Sequence, residues 1–183
     1  MEHEMIDWLN EKGEVVGTID KAVAHKDGSW HRSVHVWVIN NKGEILLQKR
    51  CADKKFFPNV WDVSFAGHVG AGESSLISAI REGKEELGIN VDTTKMKFLF
   101  TNKEKLVYKN ITSNEFVDVY LLTQQIDIKD LSYQIEEVAG AKYIPLKQFV
   151  KLSRNHAPEL LDHYEECEKL FYSLQTSGIE ITK

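Results

Sequence analysis

Apolar and polar residues alternate in short runs over most of the chain, and a helical period replaces the alternation in only a few places. Residues 5–9 and 15–19 read as extended segments. Asn10-Glu11-Lys12-Gly13 lies between them as a hairpin turn, with glycine at the left-handed position. Residues 33–40 (SVHVWVIN) and 44–49 (EILLQK) are β-rich and are joined by a turn over 40–43. In the first of these, Val34, Val36 and Val38 face one side and His35, Trp37 and Ile39 the other. Both sides are largely apolar, which predicts a strand covered on both faces. Residues 24–28 read as a loop, 51–59 (CADKKFFPN) as a basic loop, and 60–65, 96–101, 115–123 and 141–144 as further strands. The mixed run 104–111 fits strand or loop.

The helical period predicts a helix over 73–88 and another over 158–174, where Leu160, Tyr164, Cys167, Phe171 and Leu174 recur at spacings of four and three. The second stripe reads as core packing, with a partner helix in a homodimer as the alternative. A short helix over 145–152 has Pro145 at its first turn. The order strands, helix, strands, helices predicts an α/β (α+β) sandwich, a mixed sheet with helices packed on it. A length of 183 residues fits one domain: an N-terminal hairpin and loop over 1–30, the central segment 67–89, and C-terminal helices over 146–174.

Composition changes this picture in two ways. A net charge of −5 argues against a nucleic-acid polymer as partner, because such binding needs a basic face. The acidic N-terminal segment has no apolar run suited to a signal peptide or membrane span, and Cys51 and Cys167 lie in no metal-binding spacing. The expectation is a cytoplasmic protein with reduced thiols and no membrane association.

The candidate chemistry is concentrated in residues 67–89, GHVGAGESSLISAIREGKEELGI. A glycine-rich turn leads into a helix on which Glu82, Glu85 and Glu86 project within about 100° of one another. Three carboxylates on one face repel unless a cation lies among them, and hard cations such as Mg2+ or Mn2+ take oxygen ligands. Leu76, Ala79, Ile80, Gly83 and Leu87 form the adjoining stripe expected to pack on the sheet. Gly83, unfavourable inside a helix, would let it approach a strand closely. Gly88 suits a left-handed C-cap. Lys84 points away from the acids, and Arg81 lies a quarter turn off them. The plain alternative is a solvated acidic face.

With Gly67, Glu73, Arg81, Glu82, Glu85, Glu86, Gly88 and Ile89 in register, this stretch resembles the Nudix box, G-x5-E-x7-R-E-U-x-E-E-x-G-U with U apolar. Gly83 departs from it, since the family usually has a bulky apolar residue there. The resemblance implies a metal-dependent hydrolase acting on a nucleoside diphosphate linked to another group. Mg2+ or Mn2+ would be held by Glu82, Glu85, Glu86 and the Gly67 carbonyl, with Glu73 and Arg81 supporting. Charge neutralisation and water activation would then carry the catalysis. A general base from outside the box is expected at Glu136 or Glu137, or at Glu115.

A narrower resemblance runs over about residues 25–89. His25, His31, Lys49-Arg50, Lys54-Lys55, Pro58, Trp61 and Gly67-His68 look like the type 1 isopentenyl diphosphate isomerase branch. It implies a second metal site at His25, His31 and His68, with Glu115 in the matching acidic segment. It also implies diphosphate binding by Arg50, Lys54 and Lys55. Without the resemblance, these histidines and loop cations read as ordinary surface groups. Ala66 stands where the isomerase has its catalytic cysteine, and alanine moves no proton. Ser113 replaces one of its acids. The expected function is therefore hydrolysis of a small organic diphosphate. Isomerisation and non-catalytic nucleotide binding are the alternatives. Phe56, Phe57 and Trp61 read as core support rather than base-stacking groups. His35 and His163 have no support from the motif, and His156 is placed to start the last helix.

Overall fold

The computed structural model describes residues 4–180. Its strands are β1 (Met5–Leu9), β2 (Val15–Asp20), β3 (Trp30–Val38), β4 (Glu44–Arg50), β5 (Trp61–Asp62), β6 (Phe65–His68), β7 (Met96–Tyr108), β8 (Ile111–Leu122) and β9 (Val138–Pro145). The helices are α1 (Lys21–Asp27), α2 (Ser75–Leu87), α3 (Leu146–Arg154) and α4 (Tyr164–Thr176). One mixed sheet has the order β2-β1-β3-β8-β7, with β6 also paired to β3, and β3 and β8 run parallel. A smaller antiparallel sheet has the order β5-β4-β9.

The two turns spelled Asn-x-Lys-Gly-Glu are built alike. The Asn10 and Asn40 side-chain oxygens each accept two backbone N–H groups, from Lys12 and Glu14 and from Lys42 and Glu44. Each asparagine amide also reaches the glutamate four residues on. The asparagine side chain thus mimics a strand partner and fixes hairpin register.

β3 is covered on both faces, as its composition predicts. Val34, Val36 and Val38 join Phe65, Ala79, Leu87 and Tyr120 in a core under α2. Trp37 and Ile39 join Val117, Val119 and Leu121 in a second core closed by Phe149 and Val150 of α3 and by Cys167, Leu170, Phe171 and Leu174 of α4. The mixed sheet is therefore sandwiched between helices, in the fold class the element order implies. None of the described helices is long and apolar enough to cross a membrane.

Several expectations are corrected. Residues 24–28 are not a loop: Asp20 accepts N–H bonds from Ala22 and Val23 and caps α1, which carries His25. The 104–111 run resolves into the end of β7 and the start of β8, with the turn made at Lys109 in left-handed conformation (φ 55°). Residues 60–65 split between β5 and β6. The last helix starts at Tyr164, not 158, because residues 159–161 run alongside β5. Trp61 N–H donates to Glu159 O and Leu161 N–H to Trp61 O. Leu160 thus bridges to Trp61, Tyr164 is 40% exposed, and Leu170 completes the buried stripe. His156 lies beyond α3, in left-handed conformation (φ 48°), bonded to Asp162 rather than starting α4.

Candidate active site

α2 is fixed at both ends by its sequence. Ser74 accepts an N–H bond from Ile77 at the N-cap, and Gly88 adopts the left-handed C-cap (φ 70°). Its inward face differs from the apolar stripe. Leu76 is 38% exposed, whereas Ser78, Ala79, Glu82, Gly83, Glu86 and Leu87 are buried. The three box acids are therefore divided: Glu82 and Glu86 point inward, and Glu85 stays half-exposed.

Gly67 and Gly83 explain how two carboxylates fit beneath a helix. A Cβ at Gly67 would overlap the Glu82 carboxylate, so glycine leaves the volume that this side chain fills. A Cβ at Gly83 would lie 3.1 Å from the Phe65 ring and from Val91. The Phe65 ring thus occupies the space that a bulky residue at 83 would need.

Arg81 gathers the rest of the box. Its guanidinium donates to Glu82 Oε1 at 2.6 Å, Glu85 Oε2 at 3.3 Å and the His68 carbonyl at 3.0 Å, and lies 3.6 Å from Glu73 Oε2. Glu73 also accepts from the Ser78 hydroxyl. Glu86 Oε2 accepts from the Ala66 N–H and from Gln48 Nε2, both at 3.2 Å. Burial and the Glu82 charge raise the Glu86 pKa to about 8, against the pull of the Ala66 N–H and Lys54. Burial also raises Glu82, with Arg81 opposing.

The His25, His31 and His68 rings converge, with one ligand atom from each within 4.8 Å of the others. His25 Nε2 and His68 Nε2 share a hydrogen bond at 3.0 Å. His31 Nδ1 donates to the Ser29 carbonyl, which turns Nε2 inward, where it is buried with no hydrogen-bond partner and lies 3.9 Å from Glu115 Oε1. Glu115 also accepts from the Ser33 and Ser113 hydroxyls. Burial would raise the Glu115 pKa, but His31 and His68 hold it well below the usual carboxylate range. Burial pushes His68 and His25 down, keeping their nitrogens available as lone-pair donors. An orphaned buried nitrogen beside a second imidazole and a carboxylate is what a cation would satisfy. The donor set therefore fits a metal. The box supplies oxygen donors of the kind Mg2+ or Mn2+ takes, but Glu82, Glu86 and Gly67 line the cavity while Glu85 lies outside it on Arg81.

Gly67, Glu82 and Glu86 of the box and His25, His68 and Glu115 of the histidine cluster line one cavity of about 560 Å3, whereas Glu85 and His31 lie outside its lining. Arg50, Lys54, Lys55, Glu136 and Glu137 line it too, though several are engaged. Arg50 donates to Asp62 Oδ2 at 3.0 Å and to the Phe56 and Phe57 carbonyls, so it holds the 51–59 loop shut on β5 rather than standing free as an anion clamp. Lys54 is paired with Glu137. Among the described residues Glu136 has no ion-pair partner. Phe56 and Phe57 stack with Tyr108 instead of entering either core. Trp61 packs on the α4 core, with Lys142 3.9 Å over its ring.

Among the cavity residues that carry no motif signal are His35, Gln48, Asp62 and His163. His163 Nδ1 donates to Glu104 at 2.8 Å and Nε2 to Asp62 at 3.1 Å. Burial lowers its pKa, but these two acids lift it well above the ordinary value. Asp62, with His163 and Arg50 against it, is pulled well down. The available signal was β3 itself, where the odd-numbered face reads His31, Ser33, His35 before turning apolar at Trp37.

The family model described as the NUDIX domain matches residues 29–166, and the chain belongs to that family. It is 38% identical over 179 residues to Nudix hydrolase 3 of Arabidopsis thaliana, covering 93% of this chain and 23% of that protein. The chain thus spans about a quarter of that relative. It is 37% identical over 149 residues to a Nudix hydrolase of Listeria monocytogenes, lmo0368, covering 80% of this chain and 82% of that one. An isopentenyl-diphosphate Delta-isomerase of Escherichia coli is 32% identical over 146 residues, covering 76% of this chain and 80% of the isomerase. Among solved structures, DR0079 of Deinococcus radiodurans superposes with a TM-score of 0.70 at 26% identity, covering 91% of this chain and 98% of that one.

Proposed function

We propose that this protein is a metal-dependent Nudix hydrolase that cleaves a phosphoanhydride bond of a small organic diphosphate, such as a nucleoside diphosphate linked to another group. The observation that carries this reading is one cavity lined both by the box acids Glu82 and Glu86 and by Lys54 and Lys55. Glu82, Glu85, Glu86 and the Gly67 carbonyl would hold Mg2+ or Mn2+; His25, His31, His68 and Glu115 would hold a second cation. A bound ion of this kind neutralises phosphate charge and lowers the pKa of water. The chain's own residues do the rest. Lys55, without an ion-pair partner among the described residues, offers its ammonium to a phosphate. Lys54 does so by exchanging Glu137 for the ligand, which frees Glu137 as a base beside Glu136. Arg81 holds Glu82 and Glu85 in place, and Gln48 holds Glu86.

A panel of diphosphates assayed with Mg2+ and with Mn2+, scored by released phosphate, tests the proposal. Glu85→Gln and Glu86→Gln should each cost at least about a hundredfold in kcat while the protein stays folded. Unchanged rates in both would overturn the site assignment. Isomerase activity is the second reading, favoured by the three-histidine cluster and opposed by Ala66. Label exchange into isopentenyl diphosphate by the native protein would establish it.

A further inference from the structure

The odd-numbered face of β3 divides between two tasks. His31 and Ser33 belong with Glu115 and the three-histidine cluster, and Trp37 and Ile39 belong to the core. His35 lies between them. Its partner across the strand pair is Ala66, whose N–H binds Glu86 and which carries only a methyl group. His35 and Ala66 face away from α2, yet His35 lines the same cavity as Glu82 and Glu86.

The ring is held firmly from behind. Nδ1 meets Glu166 Oε2 at 2.9 Å, and the other oxygen of Glu166, fully buried, accepts Trp37 Nε1–H at 2.8 Å. Nε2 has no partner among the described residues. His163 stands edge-on, with ring centroids 4.9 Å apart. His35, His163 and Glu166 are close enough together to suggest a cation site. Both nitrogens of His163, however, are taken by Glu104 and Asp62, so it has no lone pair to give. The cluster offers a hydrogen-bond donor, not a set of ligands. It would add to the loop lysines a donor fixed on a strand, since Arg50 is tied to Asp62 and Lys54 is paired with Glu137.

We propose that His35, as an imidazolium whose Nδ1–H is held by Glu166, is a phosphate-binding residue of this cavity, donating from Nε2–H to a phosphoryl oxygen of an organic diphosphate, with Glu166 as its positioning carboxylate. The inference rests on the diphosphate reading given above. Charge supports the geometry. Burial lowers the His35 pKa, and the His163 imidazolium opposes a second charge. The Glu166 carboxylate, helped by Glu104, outweighs both and leaves the ring above its ordinary value.

The test is binding of methylenediphosphonate in the presence of Mg2+, measured by calorimetry on the full chain. His35→Asn keeps an amide near Nδ1 for Glu166 and removes the donor at Nε2. It should melt close to the native protein and bind roughly ten- to a hundredfold more weakly. His35→Gln keeps a donor near Nε2 and should lose less than tenfold. In the native protein the His35 Nε2 resonance should shift on titration, which a purely structural ring would not do. Native binding with His35→Asn unaffected overturns this inference alone. No binding by the native protein overturns the diphosphate reading, and this one with it.

Discussion

Glu86 and Glu115 line the same cavity and are driven in opposite directions. Glu115 has two hydroxyl donors and two imidazoles around it and stays ionised well below the usual range. Glu86 has one amide, one backbone N–H and the Glu82 charge, and keeps its proton to about pH 8. The difference is how fully each environment compensates a buried charge. A group raised in the fold contributes fully below its unfolded value, here near 4.5, and loses that contribution as pH rises toward 8. Metal-free protein therefore carries a penalty at pH 8 that Glu86→Gln removes. The variant should be more stable there by roughly 1–3 kcal/mol, indistinguishable near pH 4.5, and no longer stabilised by Mg2+. Thermal melts at the two pH values, with and without Mg2+, check this. A native protein as stable as the variant at pH 8 would mean that Glu86 is compensated by something other than a cation.

On the scale of the element, α2 shows what the sequence discloses and what it conceals. Its caps depend on neighbours within a few residues and are legible, and the glycine at 83 signals a close approach whose partner, Phe65, the sequence does not name. Its buried face is not legible. Hydrophobic periodicity puts Leu76 inside, but the helix turns Glu82 and Glu86 inward toward the space over Gly67 and the N–H of Ala66, tertiary contacts with the preceding strand β6 that no helical period encodes. The start of α4 is hidden for the same reason. Leu160 and Tyr164 continue a helical spacing, yet residues 159–161 lie along Trp61. His163 and Glu166 of the cavity network are likewise assigned by contacts more than a hundred residues apart. Close packing at Gly83 gives a direct prediction. Gly83→Leu should destabilise by roughly 2–3 kcal/mol through overpacking against Phe65 and Val91. Phe65→Ala should recover part of that cost when combined with it, a non-additivity readable from urea unfolding. Additive losses would place the strain elsewhere.

Over the whole molecule, one ionic network ties the two sheets to the C-terminal helix. Arg50 of β4 holds Asp62 of β5. Asp62 and Glu104 of β7 hold His163, and Glu166 of α4 holds His35 of β3. Because His163 is lifted well above its ordinary value, its contribution is present below an unfolded value near 6.5 and lost as pH rises through the folded one. Asp62 is depressed, so its contribution is present above the unfolded carboxylate range and lost as pH falls through its folded value. The two windows overlap in mildly acidic solution, and metal-free protein should be most stable there. His163→Gln separates this network from Glu86. It leaves Asp62 and Glu104 buried with no cation between them, so it should cost roughly 3–5 kcal/mol at pH 6. It should also flatten the decline between pH 6.5 and 9, apart from the share that Glu86→Gln removes. Melting curves of the native protein and the two single variants across that range separate the contributions. An undiminished alkaline slope in His163→Gln would show that His163 is already neutral in the fold, and that Asp62 is held by Arg50 alone.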